Sequence, residues 1–246
     1  MSEVILGCCG FPRRKAEYFR HFGAVELQST FYRLPQEKTA ARWREEAPEG
    51  FVFTLKAWQA ITHPPSSPTY RRARWTPPPE EREAYGFFRP TPQVFAAWEA
   101  TRRIAVLLEA PVVVFQCPPS FRPTPDNVAN LRAFFTQVER GNLTFVWEPR
   151  GEWPRDLVAR LCRELDLVHG VDPLEQPPTT SGMVYFRLHG RARGRGRYAY
   201  RYQYTDEELD ALLRRCRDFP KVYVFFNNAF MWEDALRFQA RLRASG

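Results

Sequence analysis

Lysine and histidine are both scarce: the 246-residue chain has four of each. The histidines form no HxH or HExxH pair, so the ligand spacing of common zinc hydrolases is missing and no cofactor is expected. A divalent metal held by scattered ligands is kept only as an alternative. The five cysteines show no CxxC spacing, and Cys8 and Cys9 are neighbours, which rarely bond to each other. That usage fits a reduced, cytoplasmic protein. No apolar run reaches the roughly 18 residues of a membrane span, and Met1–Gly10 lacks a basic segment leading into a long apolar one. Neither a membrane nor a signal peptide is therefore expected. No GxGxxG or GxxxxGK[ST] follows any apolar run, which argues against an open nucleotide-binding sheet.

What is abundant is arginine. Of the 36 basic residues 32 are Arg, and the formal net charge is +8. An excess of that sign favours anionic partners, a small molecule or nucleic acid. Arginine bias also tracks genome composition and heat adaptation, so the position of the charges counts for more than their number. Hydrophobic residues at 44% and aromatics at 15% give enough apolar mass for one large core.

Short apolar runs and helical patterns alternate along the chain. Strands are expected at Glu3–Gly7, Ala24–Gln28, Phe51–Lys56, Val112–Gln116, Thr144–Glu148, Leu167–Asp172, Met183–His189 and Lys221–Phe226. Helices are expected at Thr39–Glu46, Phe95–Leu108, Asn127–Glu139 with Asp126 as cap, Pro154–Glu164, Thr205–Cys216 and Ala229–Leu242. Eight strands mostly separated by helices predict an α/β fold, a single TIM (β/α)8-like barrel over 1–246, with a doubly wound open sheet as runner-up. Ala57–Pro92 breaks the rhythm with eight prolines among arginines and aromatics. Long helices do not survive that density, and the expectation is an ordered Pro/Arg-rich lid after strand three, on the C-terminal face.

The strands end in polar residues. In Thr144–Arg150 (TFVWEPR), period-two parity places Glu148 and Arg150 on one face and Phe145 and Trp147 on the other. The other strand ends carry Glu26 and Gln28, Lys56, Gln116, Asp172, Arg187 with His189, and Asn227–Asn228. In a barrel these would meet at the C-terminal mouth, where active sites of this architecture lie, with Phe51, Phe53, Phe115, Trp147 and Phe186 turned toward the helices. The plain alternative is a salt-bridge network that pairs Glu26, Glu148 and Asp172 with Lys56, Arg150 and Arg187. An apolar core can be as stable as such a network, so stability alone is a poor reason to keep six charges together.

Six stretches in order carry a resemblance: VELQSTFYRLP at Val25–Pro35, FVFTLKAWQAITH at Phe51–His63, VVFQCPPSF at Val113–Phe121, WEPR at Trp147–Arg150, YFRLHG at Tyr185–Gly190 and VFFNN at Val224–Asn228. With them the chain resembles the YecE-like family, domain of unknown function 72. Gln28 stands where that family usually has Asn, and Ser66–Pro92 and Arg191–Arg201 look particular to this sequence. The resemblance implies a TIM barrel and a likeness to barrels such as endonuclease IV, without naming a reaction.

Three chemistries suit these residues. The first is an enzyme, a hydrolase or lyase, acting on a phosphate- or carboxylate-bearing substrate. Arg150 and Arg187 would clamp the anion, with Gln28, Gln116, Asp172, Asn227 and Asn228 as further substrate contacts. Glu148, Lys56, His189 and Glu26 would handle protons or form a covalent bond. The second is a metal-dependent phosphoesterase using Glu26, Glu148, Asp172, His189 and His63. The third is nucleic-acid binding without chemistry through Gly190–Tyr204, where Arg191, Arg193, Arg195, Arg197 and Arg201 alternate with Gly and Tyr.

Overall fold

A computed structural model describes residues 2–193 and 197–245, and of residues 192, 193, 197 and 198 the backbone alone. The strands are β1 (Glu3–Cys9), β2 (Ala24–Leu27), β3 (Val52–Lys56), β4 (Val112–Gln116), β5 (Thr144–Glu148), β6 (Leu167–Val171), β7 (Met183–Leu188) and β10 (Lys221–Phe226), with a two-residue hairpin of β8 (Ala192–Arg193) and β9 (Arg197–Tyr198) after β7. The first eight close into a barrel in the order β1-β10-β7-β6-β5-β4-β3-β2. All eight predicted strands are present, and the α/β TIM-type architecture is the expected one. The helices are α1 (Lys15–Tyr18), α2 (Ser29–Tyr32), α3 (Glu37–Glu46), α4 (Gln59–Thr62), α5 (Thr69–Ala73), α6 (Pro92–Leu107), α7 (Pro125–Gln137), α8 (Arg155–Glu164), α9 (Asp206–Cys216) and α10 (Met231–Ala244). None in the described residues is long and apolar enough to cross a membrane.

The chain divides into two compact units, residues 1–26, 48–52 and 168–246, and residues 27–47 and 53–167. In the first, β1 pairs in parallel with both β2 and β10, β10 with β7, and β7 with β6. Gly7 of β1 lies where a Cβ would stand 2.2 Å from the Ala24 carbonyl oxygen and 2.9 Å from the Phe225 ring, so only a glycine lets these strands approach. α9 begins with a capping box: Glu208 N donates to Thr205 Oγ1 at 3.3 Å, and Thr205 N donates to Glu208 Oε2 at 2.9 Å.

In the second unit β3, β4 and β5 pair in parallel. Parity sends their aromatics toward the helices. The Phe53 ring lies under the Arg44 guanidinium of α3 at 5.1 Å. Phe115 meets Trp98 of α6 at 5.6 Å and Phe135 of α7 at 5.0 Å. Thr124, rather than the expected Asp126, caps α7 by accepting from Asn127 N at 3.3 Å. Pro125 takes the first helical position, where a missing N–H costs nothing, so the cap falls one residue before it.

The proline-rich stretch after β3 folds into α4, α5 and a six-residue 3-10 turn at Pro79–Ala84. Each helical piece is short, in keeping with the proline spacing. Gly86 and Phe88 return the chain to α4, donating their backbone N–H groups to Ala60 O and Ile61 O, both at 2.9 Å. Phe88 is fully buried among Phe115, Phe121, Phe134 and Phe135, which anchors the stretch.

Candidate active site

The expected site residues fall into two groups, one within each unit. In the second unit they gather where β3, β4 and β5 end. Lys56 Nζ donates to Gln116 Oε1 at 3.1 Å, and Arg150 Nη2 donates to the same oxygen at 3.2 Å. Arg150 Nε donates to Glu148 Oε1 at 2.6 Å. Glu148 and Lys56 are buried and Arg150 nearly so. Three consecutive strands thus deliver two cations and one carboxylate around one amide. A charge-assisted hydrogen bond is shorter and stronger than a neutral one, which holds Arg150 firmly on Glu148.

The floor of this group comes from α2 and α4. Lys56 Nζ sits 3.9 Å above the Phe31 ring, a cation–π contact. His63 meets the same ring edge-on at 4.8 Å, and its Nδ1 lies 2.8 Å from Thr62 Oγ1. Burial holds the His63 imidazole well below its ordinary pKa, and the positive charges of Lys56 and Arg150 push it the same way. The ring is neutral at pH 7, in a positive potential. Gln28 stands half-buried at the start of α2.

In the first unit the organising pair is Glu26 and Arg187. Arg187 donates from Nε to Glu26 Oε2 at 2.8 Å and from Nη2 to Oε1 at 2.7 Å, and both side chains are fully buried. Tyr185 OH adds a third bond to Glu26 at 2.9 Å, and Cys9 Sγ lies 3.3 Å from it. Burial, then the Glu26 charge, pushes the Cys9 thiol well above its usual pKa, so it is no nucleophile. Asp172 accepts from the backbone of Leu174 at 3.0 Å and of His189 at 3.4 Å, tying the turn after β6 to the end of β7. His189 Nδ1 lies 2.8 Å from the Arg187 carbonyl oxygen. A carbonyl only accepts, so Nδ1 carries a proton.

Asn228, at the end of β10, donates from Nδ2 to Tyr202 O and to Asp234 Oδ2, both at 2.7 Å. Burial raises the Asp234 carboxyl above its usual pKa. Asn227 is half-buried and donates its backbone N–H to Leu188 O at 2.7 Å. Arg191 is half-exposed and engages Glu208 and the Tyr202 hydroxyl. Arg195 lies outside the described residues, as do the side chains of Arg193 and Arg197.

Several participants had no sequence signal as site residues. Tyr185 and Phe31 are apolar-looking members of expected motifs, and Asp234 reads as an ordinary acid in a helix's first turn. As for metal, no group of three His, Cys, Asp or Glu side chains suited to an ion exists among the described residues. The carboxylates of Glu26 and Glu148 are instead occupied by guanidinium groups. The donor set therefore does not fit the metal-dependent phosphoesterase considered above.

Comparison with known proteins agrees with this architecture. The chain is 26% identical over 243 residues to the UPF0759 protein YunF of Bacillus subtilis, covering 86% of this chain and 79% of YunF. The structure of a DUF72 family protein from Enterococcus faecalis superposes with a TM-score of 0.73 at 23% identity, over 99% of this chain and 98% of that one. Endonuclease IV from Thermus thermophilus superposes with a TM-score of 0.55 at 12% identity, over 99% of this chain and 100% of the enzyme, which shows a shared fold alone. Residues 12–246 match the family described as Protein of unknown function DUF72, and the chain belongs to that family.

Proposed function

We propose that the chain is an enzyme that takes an anionic substrate, phosphate- or carboxylate-bearing, at the ends of β3, β4 and β5. The observation that carries this reading is the convergence of Lys56 Nζ and Arg150 Nη2 on the single neutral oxygen of Gln116. Two like charges drawn together around one amide repel each other, and an anion placed against them relieves that repulsion. The His63 imidazole is held low first by its burial and then by the charges of the same two cations. Arg150 is the directional donor, Lys56 the point charge, and Glu148 the acid–base group whose charge Arg150 balances. This fits proton transfer in a hydrolase or lyase. Arg187, with its fork on Glu26, is assigned to positioning rather than to the anion. His189, its tautomer set by the Arg187 carbonyl, remains a candidate acid–base group.

Thermal unfolding in the presence of inorganic phosphate, phosphorylated sugars and simple carboxylates tests this reading. A ligand that binds only the native state raises Tm by mass action. The parent should shift with at least one anion, and Arg150→Ala and Lys56→Met should each lose at least tenfold in affinity. If both variants respond like the parent, the assignment of the anion to these residues is wrong.

A further inference from the structure

Immediately past Lys56, two buried polar atoms have no hydrogen-bond partner among the described residues: the donor Trp58 Nε1 and the acceptor Gln59 Oε1. Gln59 is fully buried, and its orientation is set by Nε2, which donates to the Tyr32 carbonyl at 3.4 Å. Its oxygen is thereby left as an acceptor. The same turn of α2 carries Phe31, on whose ring Lys56 rests. The orphaned pair and the cation pair therefore share one support. Beside them stands an aromatic wall: Trp58 lies 4.8 Å from Trp75, which stacks on Tyr70 at 5.7 Å and meets Tyr85 edge-on at 5.6 Å.

Folded proteins seldom leave buried donors and acceptors unpaired, and each exception asks for an explanation. Hydroxyl groups can serve either atom, accepting from the indole or donating to the amide oxygen. An aliphatic chain satisfies neither. A half-buried indole also suits the C–H face of a sugar ring, being flat and apolar with one polar edge.

From the orphaned indole N–H and amide oxygen beside the Lys56–Arg150 pair, we propose that the anionic substrate is a polyhydroxylated, sugar-like molecule whose hydroxyls are read by Trp58 and Gln59. This rests on the anion-binding reading above and narrows it to a substrate class. Trp58 and Gln59 are specificity residues, not proton carriers.

The test measures selectivity. Glucose 6-phosphate is compared with hexyl phosphate, and gluconate with hexanoate, by calorimetric titration of the full chain, with Trp58→Phe and Gln59→Met beside the parent. The parent should prefer the hydroxylated member of at least one pair by tenfold or more. Each variant should cut that ratio at least fivefold while the affinity for the alkyl anion stays within twofold. Trp58→Phe serves alone if Gln59→Met does not fold. Equal affinity within both pairs, or a ratio unchanged in the variants, overturns the proposal. If the parent binds none of the four probes, the anion reading fails first and this one with it. Binding of hexyl phosphate or hexanoate that Arg150→Ala abolishes, without sugar selectivity, sinks only the present proposal.

Discussion

Arg187 grips Glu26 with two parallel hydrogen bonds of 2.8 and 2.7 Å, and no part of either side chain reaches solvent. Removing a buried pair from water is costly, and the cost is offset only while both partners are present. Arg187→Met alone, or Glu26→Gln alone, should destabilise the fold by about 3–5 kcal/mol. The double variant should recover much of that, because no uncompensated charge remains. Urea unfolding of the four proteins measures the cycle. A double variant as unstable as the sum of the singles would show that the two residues act through separate partners.

His63 makes stability depend on pH with a known sign. Its imidazole is held below the ordinary value of 6.5, so the unfolded chain binds the proton more readily than the folded one. Stability is therefore highest above about pH 6.5 and declines below it, by up to about 1.4 kcal/mol per pH unit from this group. His63→Asn should flatten the curve between pH 6.5 and pH 5. Saturating anion should reduce the slope in the parent, since it offsets the field of Lys56 and Arg150. Denaturant midpoints across that range decide both points.

Gly86 holds the stretch after β3 to α4. Its φ is +79°, and a Cβ there would stand 2.5 Å from the carbonyl carbon and oxygen of His63. Gly86→Ala should therefore loosen residues 57–92 by about 1–3 kcal/mol, the usual range for strain of this kind. Hydrogen exchange should quicken across that stretch first, while β4 and β5 keep their protection. Unchanged exchange there would mean the backbone absorbs the methyl group elsewhere.

Much of the scaffold was legible in the residues because it follows from neighbours two or four positions apart. Parity in TFVWE assigned Trp147 and Glu148 to opposite faces without any knowledge of the partner strands. The helix expected from Thr205 is present for a similar reason, and its capping box between Thr205 and Glu208 is a contact of the same short range. The alternation of strands and helices led to the barrel for the same reason. Where a proline shifted a boundary, as at Thr124 and Pro125, the miss was one of register and not of kind.

Only the tertiary structure chose the partners. Three acids and three bases at strand ends admit several pairings, and sequence carries no distance between residues 161 positions apart. Packing selected Glu26 for Arg187 and Glu148 for Arg150, and set Lys56 on Gln116 and the Phe31 ring. It also left Trp58 Nε1 and Gln59 Oε1 without partners among the described residues, which no periodicity could foretell. Local chemistry determines which way a side chain points from its strand. What that side chain meets depends on chain closure over long loops, and there the burial of every charge has to be settled at once.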